Sequence, residues 1–313
     1  MKGLVTSSSG NRYRVALDDG TEVVAAAKGN FRIKGIRTTN PVAVGDRVEV
    51  SAVPGSEVSY ITAIEPRKNY IIRRASNLSK ESHILGANLD QVMLVASLSH
   101  PVTSTTFIDR FLSTAEAYQV PAVLVINKVD LLDEEEDGRE LLAAYANLYR
   151  SIGYRVIATS TKTGEGLDER REAVRGKITL LSGNSGVGKS SIINCLVPDA
   201  EAQTAAVSES HDTGIHTTTF SRMYTLPNGG RLIDTPGVRG FGTLDFDKYE
   251  VGHFFPEIFA ESANCRFSDC THTDGEPGCA VCQAVADHRI AQSRYQSYLS
   301  ILQNDTANTN KYR

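Results

Sequence analysis

Apolar and polar positions alternate in short runs over the first 65 or so residues, at 11–17, 22–27, 47–53 and 58–64. Asp19-Gly20, Gly45-Asp46 and Pro54-Gly55 separate the runs with residues that favour tight turns. Short strands at this spacing predict a small sandwich or barrel. A five-stranded OB-type barrel fits the length, with another small barrel as the alternative. Past residue 70 the pattern changes. Runs 91–96 and 122–126 are apolar and β-branched, with a helical period over 108–118 between them, and 155–159 and 178–181 continue the alternation. Strands alternating with helices predict a parallel sheet covered on both faces. Beyond residue 250 the pattern is helical and irregular. Residues 283–302 read as one helix, and 304–313 as a polar, frayed end. The acidic run 133–137 reads as a solvated helix start.

Composition adds limits. The chain has 313 residues, enough for two or three domains with real cores. With 41% hydrophobic and 22% charged residues it has the make-up of a soluble globular protein. No apolar run approaches the roughly 18 residues of a membrane helix, and residues 1–10 lack a signal-type apolar stretch. A cytoplasmic monomer is therefore the expectation. Net charge is −4, but residues 1–80 hold 13 Lys/Arg against 7 Asp/Glu, which leaves −10 for the rest. A basic first part on an acidic body suggests a polyanionic partner, with ordinary surface charge as the alternative.

The chemistry is carried by motifs. Gly183, Asn184, Ser185, Gly186, Val187, Gly188, Lys189 and Ser190 match G-x-x-x-x-G-K-[ST], after the strand-like run 178–181 and before the helical run that opens at Ser191. Glycines let the backbone turn its N–H groups onto phosphate oxygens, and the helix N-terminus adds positive potential. Lys189 is the expected β/γ-phosphate contact and Ser190 a Mg²⁺ ligand. Asn127, Lys128, Val129 and Asp130 form N-K-x-D at the end of run 122–126. A carboxylate there accepts from N1–H and the amine of guanine, a donor pair that adenine lacks. Ser160, Thr161 and Lys162, after run 155–159, resemble the guanine loop (S/T)-A-K, with Thr161 in place of Ala.

Asp234-Thr-Pro-Gly237 follows run 231–233 and matches D-x-x-G. Asp234 would hold Mg²⁺ through water and the Gly237 N–H would sense the γ-phosphate. Thr217 or Thr218 would complete the Mg²⁺ shell when GTP is present; the start of a strand is the alternative reading of that Thr run. Val238 stands where Ras-like enzymes carry the Gln that orients water, so slow intrinsic hydrolysis is expected. His216 is an internal candidate for the missing group, or a structural histidine.

Four of the five cysteines lie between Cys265 and Cys282, around His272. In a chain read as cytosolic, that cluster argues for metal and against a disulfide framework. Cys265, Cys270 and His272, with Cys279, supply three thiolates and an imidazole, a set suited to a closed structural Zn²⁺ site. Cys282 is a fifth candidate, since Cys279-x2-Cys282 has the form of half a zinc knuckle.

An ordinary small GTPase runs phosphate loop, switch threonine, D-x-x-G, N-K-x-D and guanine loop. Here the last two come first, so the cyclic order is kept and the cut point has moved. With these motifs the sequence resembles the RsgA family of small-ribosomal-subunit biogenesis GTPases (the YjeQ/YloQ type) over nearly its whole length. The resemblance implies an OB barrel over 1–68, a circularly permuted α/β P-loop GTPase over 69–245 and a mainly helical zinc-binding domain over 246–313. It also implies a GTP/GDP- and Mg²⁺-dependent hydrolase with one structural Zn²⁺, which binds the small ribosomal subunit and its rRNA late in maturation and is stimulated by it. It favours Cys279 over Cys282 as the fourth zinc ligand. Two departures are Thr161 and a spacing between His272 and Cys279 that is one residue longer than usual.

Overall fold

A computed structural model describes residues 1–27, 41–74, 82–197, 221–234 and 248–309. Strands β1 (Lys2–Ser9), β2 (Arg12–Leu17), β3 (Glu22–Ala27), β4 (Arg47–Ser51) and β5 (Val58–Ile64) close a barrel in the order β1-β2-β3-β5-β4-β1. This is the five-stranded OB arrangement, with β3 and β5 parallel and the other pairs antiparallel. Val5, Tyr13, Val15, Ala25, Val48, Val50 and Ile61 fill its core. The sequence reading missed β1. Its serine-rich second half hides the alternation, and a register shift between Val5 and Ser7 breaks the period.

A hairpin follows, β6 (Tyr70–Arg74) with β7 (Ser82–Ala87), also unread in the sequence. Then come β8 (Gln91–Ala96), α1 (Thr105–Ala117), β9 (Ala122–Asn127), α2 (Gly138–Ile152), β10 (Arg155–Thr159), α3 (Leu167–Ala173), β11 (Ile178–Gly183), α4 (Lys189–Leu196), β12 (Ser221–Thr225) and β13 (Arg231–Asp234). The strand order β10-β9-β8-β11-β13 is parallel throughout, and β12 adds antiparallel at the edge. Every residue of β8 is buried, as expected for a strand covered on both faces. One core lies under α1 and α2, the other under α4 and the end of α3. Edge strand β12 also pairs with β1, so the barrel and the parallel sheet form one eleven-stranded sheet.

The C-terminal region holds α5 (Pro256–Ser262), α6 (Ala280–Ala286) and α7 (Gln292–Thr309) around a core of Val251, Phe255, Ile258, Val281, Tyr295 and Tyr298. The single helix expected over 283–302 is two. Asp287 caps α6, His288 takes a left-handed φ of 59°, and the N–H groups of Arg289 and Ile290 donate back to the Ala284 carbonyl. That closing turn ends α6 and buries Ile290. The end expected to fray continues α7 as far as Thr309. Tyr295, Tyr298, Ile301 and Leu302 anchor the helix, and polar residues extend it cheaply once it is nucleated. The acidic run also resolves: a 3-10 turn spans Val129–Glu134, and Asp137 stands just ahead of α2.

Candidate active site and metal centre

In a parallel sheet the carboxyl ends of the strands share one edge, the usual binding edge of open α/β sheets. Asn127 ends β9, Thr159 ends β10, Gly183 ends β11 and Asp234 ends β13. The N-K-x-D turn, the guanine loop, the phosphate loop and Asp234 therefore meet along that edge although the chain order is shifted. Asn127, fully buried, donates from Nδ2 to the Val187 carbonyl at 2.8 Å, which ties the N-K-x-D turn to the phosphate loop. Its Oδ1 has no partner among the described residues. Lys128 takes a left-handed φ of 63° and donates from Nζ to the His100 carbonyl at 2.7 Å.

Ser160 organises the guanine loop. Its hydroxyl donates to Asp130 Oδ1 at 2.5 Å and accepts the N–H groups of Lys162 and Thr163, each at 3.1 Å. The ammonium of Lys162 lies 3.9 Å from Asp130 Oδ2. Asp130 is thereby held by the loop beside it, with only 12% of its side chain exposed. Thr161 is half-buried between these two contacts and makes none of them.

The phosphate loop leaves β11 at Gly183 and enters α4 at Lys189. Gly188 has a φ of +97°, and a Cβ there would lie 2.3 Å from Asn127 Nδ2. Gly183 has a φ of +150°, with the Val95 carbonyl 2.3 Å from where a Cβ would stand. Lys189 folds over its own loop, donating to the carbonyls of Gly183 and Asn184 at 2.6 Å each. Burial lowers its pKa, and the nearby Asp234 partly restores it. Burial raises the pKa of Asp234, opposed by Lys189. Burial thus works against the charge on both groups, and each partly compensates the other. Asn184, Ser185, Gly186, Ser190 and Ser191 are half-buried or exposed, whereas Val187 packs into the core. His216, Thr217, Thr218, Gly237 and Val238 lie outside the described residues.

The second cluster lies in the C-terminal region. The ligand atoms of Cys265, Cys270, His272 and Cys279 all lie within 4.8 Å of one another. His272 Nδ1 is 3.6 Å from Cys265 Sγ and 3.7 Å from Cys279 Sγ. A tetrahedron with ordinary Zn–S and Zn–N lengths has edges of about 3.5–3.8 Å, so the spacing fits that ion. His272 takes a left-handed φ of 54°. Burial lowers its pKa, which leaves a neutral imidazole able to ligate. Burial pushes the Cys270 thiol up to about 12 and Cys279 up to about 11, so a metal must displace protons from both. Cys282 is not one of the four. Its thiol faces the carbonyls of His272 and Thr273 and the hydroxyl of Tyr295, while its N–H donates to Cys279 Sγ. Sequence reasoning missed Tyr295 and Tyr298, whose hydroxyls donate to the carbonyls of His272 and Thr271 and brace the ligand loop. Their spacing along α7 is visible in the sequence, but the pattern says nothing of what they support.

Comparison with known proteins agrees with this architecture. A family model described as RsgA GTPase matches residues 64–244. A relative from Bacteroides fragilis, named small ribosomal subunit biogenesis GTPase RsgA, is 56% identical over 303 residues, covering 97% of this chain and 96% of its own. One of the same name from Porphyromonas gingivalis is 56% identical over 319 residues, covering 100% and 99%. The crystal structure of YjeQ from Thermotoga maritima superposes with a TM-score of 0.76 at 33% identity, covering 97% of this chain and 98% of that one. YloQ, described as a circularly permuted GTPase, gives 0.73 at 30% identity, covering 98% and 95%. With a permuted nucleotide edge, a five-stranded barrel and a Cys/His cluster all on one chain, the protein belongs to the RsgA GTPase family.

Proposed function

We propose that this GTPase acts late in maturation of the small ribosomal subunit, binds that subunit through rRNA, and is stimulated by it. The observation that carries the reading is the Asn127–Val187 hydrogen bond, which joins a guanine-reading turn to a phosphate loop. The names of the relatives supply the ribosomal partner. Asp130 accepts the two guanine donors, and its carboxylate is oriented for that by Ser160. The phosphate-loop N–H groups and Lys189 hold the phosphates. On binding, the Lys189 ammonium exchanges its carbonyl partners for phosphate oxygens, which also offsets its burial. Ser190 and Asp234 are hard oxygen donors of the kind Mg²⁺ prefers, with Thr217 or Thr218 completing the set. When bound, that ion neutralises charge building on the β- and γ-phosphates.

In hydrolysis a water oxygen bonds to the γ-phosphorus, the bond to the β–γ bridging oxygen breaks, and GDP and phosphate leave. The Gly237 N–H would sense the γ-phosphate, while the side chain of Val238 has no group to hydrogen-bond that water. The orienting group is therefore supplied by the ribosomal partner or ordered by it, His216 being the internal candidate for the second case. Zn²⁺ on Cys265, Cys270, His272 and Cys279 plays a structural part, since four protein ligands leave no place for water. The protein works as a cytoplasmic monomer, with the barrel of residues 1–68 and the zinc-bearing residues 246–313 flanking a GTPase domain over 69–245.

The test is the GTP turnover rate with and without purified small subunits. Stimulation by about 10³-fold or more is expected. An equal rate in both conditions would leave nucleotide binding intact and remove the ribosomal role.

A further inference from the structure

Arg294 lies on α7, in the C-terminal region, with 1% of its side chain exposed. Its Nε and one terminal nitrogen donate to the two oxygens of Glu257 on α5, at 2.6 and 3.1 Å. The other terminal nitrogen donates to Asp109 Oδ1 on α1, at 2.7 Å. The Tyr149 hydroxyl on α2 donates to the same oxygen at 2.9 Å. The guanidinium also sits 4.7 Å from the centre of the Phe255 ring and 6.0 Å from that of Tyr149. One buried cation thus joins two helices of the C-terminal region to two helices that cover the nucleotide sheet.

Stability alone does not call for this design. Apolar residues of equal volume often hold a buried contact as well as an ion pair does, or better. A forked guanidinium held by carboxylates on two different elements fixes direction as well as contact, which a lysine's single ammonium cannot match.

What it fixes is the start of α1. Asp109 lies little more than one turn past the Ser104 cap, and the loop before that cap comes straight from β8 onto the nucleotide edge. The loop is closed on itself: the Thr103 N–H donates to the Ser97 carbonyl at 2.8 Å, and the Ser97 N–H to Thr103 Oγ1 at 3.1 Å. Its far side meets both nucleotide motifs. The His100 carbonyl holds Lys128 Nζ at 2.7 Å, and the Pro101 ring lies against the phosphate loop, 3.4 Å from where a Cβ on Gly186 would stand.

We propose that Arg294 is a positioning residue for guanine-nucleotide binding. By pinning the first turns of α1 to the C-terminal region, it holds loop 97–103 against Lys128 and the phosphate loop. A partner that displaces the C-terminal region then shortens the time a nucleotide stays bound. The inference rests on the reading of residues 127–130 and 183–190 as the nucleotide site.

The test uses full-length, zinc-loaded protein and a fluorescent GDP analogue. Arg294→Met removes the charge while keeping apolar volume. It should speed GDP release about five- to tenfold and raise the KM for GTP, with zinc content as in the wild type. Basal kcat should stay within about twofold. Arg294→Lys should fall between the two, and Asp109→Asn should behave like Arg294→Met. If Arg294→Met does not fold, those two carry the same comparison. Variants that melt at lower temperature yet release GDP at the wild-type rate would overturn the proposal and leave a purely structural joint. A wild type that binds no guanine nucleotide would overturn the underlying reading instead.

Discussion

Gly188 shows how little freedom the nucleotide edge leaves to single residues. Its positive φ already disfavours any side chain, and the space a Cβ needs is taken by the amide of Asn127. Gly188→Ala must therefore push Asn127 off the Val187 carbonyl, and it should weaken binding of GTP and GDP alike by at least about tenfold. Nucleotide titration checks this, and wild-type affinity would mean that the Asn127 contact contributes nothing. The role proposed for Asp130 is different, choosing the base. Asp130→Asn presents a donor where guanine also presents one. GTP affinity should fall by about 100-fold or more while xanthosine triphosphate gains, because a site built to pair polar groups rejects a mismatch strongly. A competition series with both nucleotides reads the switch directly.

At the scale of elements, the loop that brings Cys265, Cys270, His272 and Cys279 together packs on the core of the C-terminal helices, and the zinc proposed for it would tie the same loop a second time. In the proposed site Cys279 is a ligand as well as the cap of α6, so Cys279→Ser should lose metal and much of the order of that helix. Cys282→Ser should keep full zinc content, because its thiol faces carbonyls and a tyrosine hydroxyl. Elemental analysis of the two proteins separates the roles, and the reverse pattern would exchange them. Local signals made this site and the nucleotide edge legible in the sequence: the spacing of Cys265, Cys270, His272 and Cys279, and glycines where the backbone must turn under phosphate. Other elements carry no local signal. Strand β12 is a stretch, Ser221–Thr225, with few apolar positions, and it becomes a strand by pairing with β13 and with β1 of the barrel. The break between α6 and α7 depends on a left-handed His288, where the strongest helix-stop signal would be Gly or Asn. Nothing local in the sequence marks Arg294 as buried. Its burial depends on Asp109, far away in the chain.

For the whole molecule, the basic first part needs a closer reading. Lys2, Arg14, Arg47, Arg67 and Lys68 each lie against a carboxylate, so the excess of positive charge does not stand as a bare patch on the described barrel. Lys28, Arg32, Lys34, Arg37 and Lys80 lie outside the described residues, as do the side chains of Arg73 and Arg74. Arg12 remains on the outer face, in register through Ala26 with the exposed Tyr60. The rRNA docking proposed for this surface would work through individual phosphate contacts. Two of them suffice to weaken binding about tenfold when salt rises from about 50 to about 200 mM. The concentration of small subunits that gives half-maximal GTPase stimulation should therefore rise at least that much over the same range. Deleting the barrel is a poor test, because it strips β1 from β12 and opens the edge of the nucleotide sheet. Arg12→Glu leaves the barrel core untouched. It should raise the half-maximal concentration several-fold at low salt, flatten the salt dependence, and leave the basal rate unchanged. Stimulation that ignores both salt and Arg12→Glu would place the ribosomal contact elsewhere than on this face of the barrel.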